Sequence, residues 1–252
     1  MPETLLATRY AGADAATIAA RCAVPRVELF DEVTSTLDIA HPLARDGAAE
    51  GTLILAERQT AGRGRGGRAW ASGKSAGIWM TLIERPRNDA ALEVLSLRIG
   101  LAAARALEAF TDGEVRVKWP NDLMLDDGKL GGILIESRWR DERVDWVAIG
   151  VGINSRVPND VPHARALRAG ANRIDVLAEL VPAVRAAAAL SDALRPPEIH
   201  EFERRDWARG KRCSAPVAGI VLGIDARGAL LVRTSAGDIT ARSGSLVLEE
   251  DP

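Results

Sequence analysis

The chain has 252 residues, enough for one large domain, or a domain with a small appendage, to bury a core without metal or disulfides. A formal net charge of −2 argues against a dedicated nucleic-acid binder, which depends on many phosphate contacts, and 47% apolar with 27% charged residues is ordinary for a soluble protein. Two distant cysteines, Cys22 and Cys213, point to a reducing compartment; with no signal-peptide pattern and no apolar run of about 18 residues, the chain reads as cytoplasmic and without a membrane partner.

The first stretch, to about residue 25, is Ala-rich and predicts one short helix closed by Pro25. "RVELFDEV" (26–33) alternates apolar and charged residues as a half-buried strand does, and "TSTLDIAHPLARDG" (34–47) reads as a Ser/Thr-initiated helix. "GTLILAE" (51–57) and "AGIWMTLIE" (76–84) are strands on either side of a glycine-rich loop. From Asp89 to Phe110, apolar residues recur at three- and four-residue steps, a helix signal. "EVRVKW", "DLMLDDGKLGGILIESRW" and "DWVAIGVGIN" read as strands, with Asp127-Gly128 as the best hairpin cue. Residues 174 to about 208 are helical apart from a break at Pro196-Pro197, and three short apolar runs beyond Lys211 predict a small β module of about 40 residues.

The loop "QTAGRGRGGRAWASGKS" (59–75) invites three misreadings. Gly73-Lys74-Ser75 ends like a P-loop, but the preceding glycine, Gly67, is one residue too far back. Gly62, Gly64 and Gly67 satisfy G-x-G-x-x-G, yet a strand follows where a dinucleotide site needs a helix. A single short loop is also no disordered Arg-Gly-Gly repeat. Between Arg58 and Ile83 stand Arg58, Arg63, Arg65, Arg68 and Lys74 with no acid, so the loop suits an anion such as a phosphate.

That loop joins four other blocks: "TST" (34–36), "VKWPNDL" (117–123), "KLGGILIE" (129–136) and "GVGINS" (150–155). In this order the five blocks resemble the biotin–protein ligases. The resemblance runs over about residues 27 to 249, and "KWPND" followed closely by "KLGGIL" is its most specific part. It implies an α+β fold: a mixed β-sheet catalytic domain flanked by helices, class II synthetase-like and biotin/lipoate ligase-like, over 1–209, then a small SH3-like β-barrel over 210–252. It also implies a two-step reaction. Biotin and Mg·ATP give biotinyl-5′-AMP and pyrophosphate, and the biotinyl group then passes to a lysine of the carrier protein or domain of acetyl-CoA carboxylase.

Biotin's carboxylate is already ionised at neutral pH, so the obstacle to the first step is repulsion between two anions. An opposite charge about 4 Å away contributes on the order of 4 kcal/mol at an effective dielectric of about 20. The resemblance therefore places Arg63, Arg65 and Lys129 around the carboxylate and α-phosphate, with Arg68 nearer the nucleotide phosphates. Ser35, Thr36 and Gln59 would hydrogen-bond biotin, and Leu37 would line its pocket. Gly64, Gly131 and Gly132 would allow close approach. Trp70 would stack on adenine, Lys118, Asn121 and Asn154 would serve the nucleotide, and Asp122 would orient or deprotonate the acceptor lysine. No protein cluster is expected to hold metal; Mg²⁺ would arrive with ATP.

Leu37 departs from the family, which often has Asn there. Repressor-type members carry an N-terminal winged helix, but only about 25 residues precede the first predicted strand, too few for a three-helix DNA reader. The short form without a DNA partner is expected; an edge strand leaves homodimerisation open. His41, His163 and His200 match no motif and read as surface or structural. The rivals are a lipoate or octanoate ligase-type acyltransferase and a non-catalytic anion or nucleic-acid binder.

Overall fold

The computed structural model describes residues 4–86 and 88–249. Its first part runs β1 (Leu5–Leu6), α1 (Ala15–Cys22), β2 (Arg26–Val33), α2 (Thr36–Arg45), β3 (Thr52–Gln59), β4 (Gly77–Glu84), α3 (Leu92–Leu107), β5 (Val115–Lys118), β6 (Asp122–Leu125), β7 (Gly128–Arg140), β8 (Arg143–Asn154), α4 (Arg173–Ala188) and α5 (Pro196–Arg205). Five short strands follow: β9 (Arg212–Ala215), β10 (Gly219–Ile224), β11 (Leu230–Thr234), β12 (Gly237–Ala241) and β13 (Val247–Leu248). Strands β1 to β8 form a mixed sheet in the order β1-β2-β3-β4-β8-β7-β6-β5. Only β2 and β3 run parallel, and α2 makes the crossover that such a pair requires.

Both faces of the sheet's centre are covered. Along β3, Leu53 and Leu55 enter the core that α1, α3 and α4 share, while Ile54 and Ala56 pack with Leu37, Ala40 and Ala44 of α2. A strand covered on both sides has no polar face to show, which is why "TLILA" is unbroken. Cutting a fully buried leucine such as Leu53 back to alanine would cost about 2–5 kcal/mol. No helix among the described residues is long and apolar enough to cross a membrane.

Several boundaries differ from expectation. The hairpin turn falls one residue early, on Asp126 and Asp127, because Asp126 itself takes a left-handed φ of 50° and Gly128 already begins β7. Pro196 and Pro197 open α5 instead of interrupting a helix. The first turn of a helix does not need their missing N–H groups, and the break lies before them. The last five strands form an antiparallel sheet ordered β12-β11-β10-β9-β13. No pairing among the described residues joins β12 to β13, so this small sheet is open where the resemblance implied a barrel. It is fastened to the large sheet by Trp119, whose buried Nε1 donates to Gly228 O at 2.9 Å.

Candidate functional site

A cavity of about 210 Å³ opens where the N-terminus of α2, the ends of β3 and β8, the β6–β7 hairpin and the glycine-rich loop meet. Its inner end is polar and uncharged. Ser35 caps α2, its Oγ accepting from Leu37 N at 3.4 Å, and so leads both Ser35 and Thr36 to the wall. Gln59, the last residue of β3, aims its amide at them. Its Oε1 accepts from Thr36 N at 2.9 Å, Thr36 Oγ1 at 3.2 Å and Ser35 Oγ at 3.4 Å. Its Nε2 donates to Ser72 Oγ at 2.8 Å, and Thr81 Oγ1 donates to Thr36 Oγ1 at 2.8 Å. Leu37, Met80, Leu134 and Gly150 complete this end as an apolar wall.

The other end is charged. Lys129, at the start of β7, pairs through Nζ with Asp122 Oδ1 at 2.7 Å, and the same ammonium lies 5.0 Å from the Trp70 ring centroid. Asn121 is tied to β7 in both directions: its Nδ2 donates to Ile133 O at 2.7 Å, and its own carbonyl accepts from Ile133 N at 3.0 Å. Asn154 lines the cavity but is buried, and its Nδ2 is committed to backbone carbonyls, Arg165 O at 2.9 Å and Lys129 O at 3.4 Å. Trp70 lies across the middle, edge-on to Trp79 at 6.5 Å between centroids. A Cβ at Gly152 would stand 2.6 Å from Trp70 Nε1, so the indole rests directly on the bare backbone of β8. That Nε1 is buried against β8 without a hydrogen-bond partner.

The glycine-rich loop folds back on itself as a flap. Gly64 N donates to Arg68 O at 2.7 Å and Trp70 N to Gly62 O at 2.8 Å, around a tight turn in which Gly66 and Gly67 have φ of 66° and 74°. Its arginines go three ways. Arg63 is held by Asp38 and Glu136, Arg65 Nη1 donates to Gly244 O at 3.1 Å, and Arg68 Nη2 to Ser245 Oγ at 2.7 Å. The flap therefore spans from α2 to the small C-terminal sheet. Lys74, the P-loop lookalike lysine, pairs with Asp31 at 2.7 Å on the surface.

Ser35, Thr36, Leu37, Gln59, Arg63, Gly64, Arg65, Arg68, Trp70, Asn121, Asp122, Lys129, Gly132 and Asn154 thus line one cavity. Gly131 and Lys118 do not. Gly131 is packed against β8, where a Cβ would meet Gly152 O at 2.7 Å. Lys118 sits behind the wall with its Nζ 5.5 Å from the Trp207 ring centroid. Burial pulls its ammonium below the usual lysine range; Asp122 opposes that, while Lys129, Arg68 and Lys211 add to it. Sequence reasoning missed Ser72, Thr81 and the apolar residues Pro158, Val161 and Ala164 of the segment after β8, none of which carries a motif signal. It also missed Glu136, although "KLGGILIE" ends on it, and treated His41 as incidental.

Comparison with known proteins adds the following. Residues 30–154 match the Biotin/lipoate A/B protein ligase family. The chain is 36% identical over 217 residues to a biotin–[acetyl-CoA-carboxylase] ligase of Paracoccus denitrificans, covering 76% of this chain and 88% of that protein. It is 43% identical over 136 residues to a bifunctional ligase/repressor of Bacillus subtilis, covering 52% of this chain, but the match spans only 41% of that relative's length. In fold it is similar to the biotin protein ligase of Aquifex aeolicus in complex with biotin and ATP, with a TM-score of 0.70 and 24% identity over 90% of this chain and 100% of that one.

Proposed function

The chain belongs to the biotin/lipoate A/B protein ligase family, and from that premise we propose that it is an ATP-dependent biotin–protein ligase whose acceptor is the carrier protein or domain of an acetyl-CoA carboxylase. One observation carries this reading: the cleft joins an uncharged hydrogen-bonding end to a cationic end. A cyclic urea with an apolar tail ending in a carboxylate suits that sequence of surfaces, and a nucleotide phosphate suits the far end. The ligase of Paracoccus denitrificans supports the choice within the family by its name.

In the proposed first step a carboxylate oxygen of biotin attacks the α-phosphorus of Mg·ATP, the new P–O bond forms, and the bond to the β-phosphate breaks to release pyrophosphate. No proton need move. Arg65, Arg68 and Lys129 supply the charge that lets the two anions meet. Trp70, with its unmet N–H, covers the nucleotide and keeps water from the mixed anhydride. Mg²⁺ enters as part of the Mg·ATP substrate; among the described residues no group of three or more His, Cys, Asp or Glu could hold a metal by itself.

In the second step the acceptor lysine attacks the acyl carbon and AMP leaves with the electrons of the broken C–O bond. The lysine must first lose a proton, since its reference pKa is about 10.4. Asp122 serves that ammonium once Lys129, now paired with it, has turned to the anions. Residues 1–209 would carry this chemistry, and 210–252 would form an SH3-like module, a reading supported by its five short antiparallel strands.

The test is ATP–pyrophosphate exchange with biotin, with lipoate and with neither. Exchange that requires biotin is the expected result. Exchange with lipoate alone would favour an acyltransferase of the lipoate type, and exchange with neither substrate would leave only a binding role.

A further inference from the structure

Beside the flap, on the α2 side of the sheet, a row of polar side chains ends on Arg63. The carboxylate of Glu136, on β7, accepts from Arg63 twice, from Nε at 3.0 Å and from Nη2 at 3.3 Å, while Arg63 Nη1 reaches Asp38 Oδ1 at 2.7 Å. His41 Nε2 lies 2.7 Å from the Glu136 carboxylate, and Trp146 Nε1 lies 3.1 Å from His41 Nδ1. An indole N–H can only donate, so Nδ1 accepts and Nε2 carries the proton given to Glu136. The row is therefore directional: Trp146 fixes the ring, the ring fixes the carboxylate, and the carboxylate grips the flap.

The charges on the three loop arginines are spent differently. One guanidinium at Arg63 faces two carboxylates, so its charge is already more than matched before a substrate arrives. Burial works against both partners. Hydrogen bonds from Arg63 and His41 nevertheless hold the Glu136 carboxyl below the usual range, and those to Glu136 and Asp38 hold the Arg63 guanidinium above its own. Among the described residues, Arg65 and Arg68 hydrogen-bond to uncharged oxygens, at Gly244, Ser245 and the Arg65 carbonyl. Their positive charge remains available to an anion. Arg63 also pairs with Ala69 across the flap, next to Trp70, so the place where Arg63 is held sets where the indole lies.

We propose that Glu136 and His41 are positioning residues, mooring the flap at Arg63 so that Arg63 acts as its pivot while Arg65, Arg68 and Lys129 neutralise the substrates. The proposal rests on the ligase reading given above and assigns Arg63 a different part from the one its motif implied.

The experiment uses the full chain and the variants Glu136→Gln, Arg63→Gln, the double variant, His41→Gln and His41→Leu. It records KM for biotin and kcat in ATP–pyrophosphate exchange, the rate of trypsin cleavage within the flap without ligand, and the melting temperature. Losing the charge-assisted contact between them predicts about a tenfold rise in KM for biotin in Glu136→Gln, and at least as large a rise in Arg63→Gln, which also gives up Asp38, with a smaller change in kcat. The double variant should be no worse than Arg63→Gln alone, because the two substitutions cut the same tether. Trypsin should cut the Glu136→Gln flap several-fold faster than wild type, by the same loss of tether. His41→Gln, which keeps a donor for Glu136, should stay near wild type, and His41→Leu should follow Glu136→Gln. If Glu136→Gln fails to fold, Asp38→Asn, on the outer side of Arg63, tests the same tether and should raise KM several-fold. A 100-fold or larger loss of kcat in Arg63→Gln beside a normal Glu136→Gln enzyme would overturn the proposal, since it is the signature of a catalytic cation. So would losses that multiply in the double variant, or a flap cut no faster. A wild-type enzyme without biotin-dependent exchange would sink the ligase reading instead, and the trypsin comparison would still decide the mooring.

Discussion

The two ends of the cleft solve opposite problems with different amounts of internal pairing. At the inner end Ser35, Thr36, Gln59, Ser72 and Thr81 already satisfy one another, so a ligand exchanges one set of neutral hydrogen bonds for another. At the outer end, among the described residues, Lys129 pairs with one acid, Asp122, and Arg65 and Arg68 with none. The neutral end is built for shape and selection, with its geometry fixed in advance. The cationic end keeps charge in reserve, which is useful only when two anions must be forced together.

The largest effect should therefore come from removing that reserve. Lys129→Gln is expected to lower kcat for biotin-dependent pyrophosphate exchange by about 10²–10³, the usual loss of one donor to a developing charge. The melting temperature should barely move, because Lys129 is partly exposed and outside the core. Near-normal exchange would mean that the charged end is only a surface. Gln59→Leu attacks the other end. It strips Thr36 N of its acceptor, which costs about 1–3 kcal/mol of stability, and it should weaken biotin binding by about tenfold or more while leaving the KM for ATP alone. Calorimetry with biotin, beside a kinetic titration of ATP, separates the two outcomes; equal losses for both ligands would erase the distinction between the ends.

Gly152→Ala probes the boundary. Its new Cβ would stand 2.6 Å from Trp70 Nε1 and force the indole off the sheet. The expected result is about a tenfold rise in the KM for ATP, the scale of one lost aromatic contact, with a smaller change for biotin. An unaltered ATP constant would show that Trp70 has no part in covering the nucleotide.

How much of this was legible depended on how local each signal was. Ser35 and Thr36 could be read because a cap and a pocket wall coincide at the start of α2, and the cationic loop because its five positive residues stand without an acid. The tether on Arg63 could not. Glu136 and His41 are 95 positions apart, with no motif joining them, and only the packing of α2 on the sheet brings them together. The motif that singles out Arg63 names residue types and says nothing of Asp38 and Glu136 beside it. Strands as short as β13, with two residues, have no period to read, so the small sheet gained strands the pattern had not offered. The hairpin turn slipped because Asp126 can take the conformation usually left to glycine.

Ionic strength gives the smallest effect and the most direct comparison, because it alters no residue. Screening shortens the reach of a charge from about 10 Å at 0.1 M salt to about 3 Å at 1 M. Arg68 is exposed and Lys129 partly so, and solvent ions can compete for both. ATP affinity should fall several-fold across that range. The methyl ester of biotin has the same ring and tail but no carboxylate, so it engages only the neutral end. Its dissociation constant should change less than about twofold, since neutral hydrogen bonds are not screened and apolar burial does not weaken in salt. Biotin itself should fall between the two, its carboxylate reaching the charged end while its ring remains in the neutral one. If the ester lost affinity as steeply as ATP, the inner end would have to contain a charge that its hydrogen bonds conceal, and the division of the cleft would be wrong.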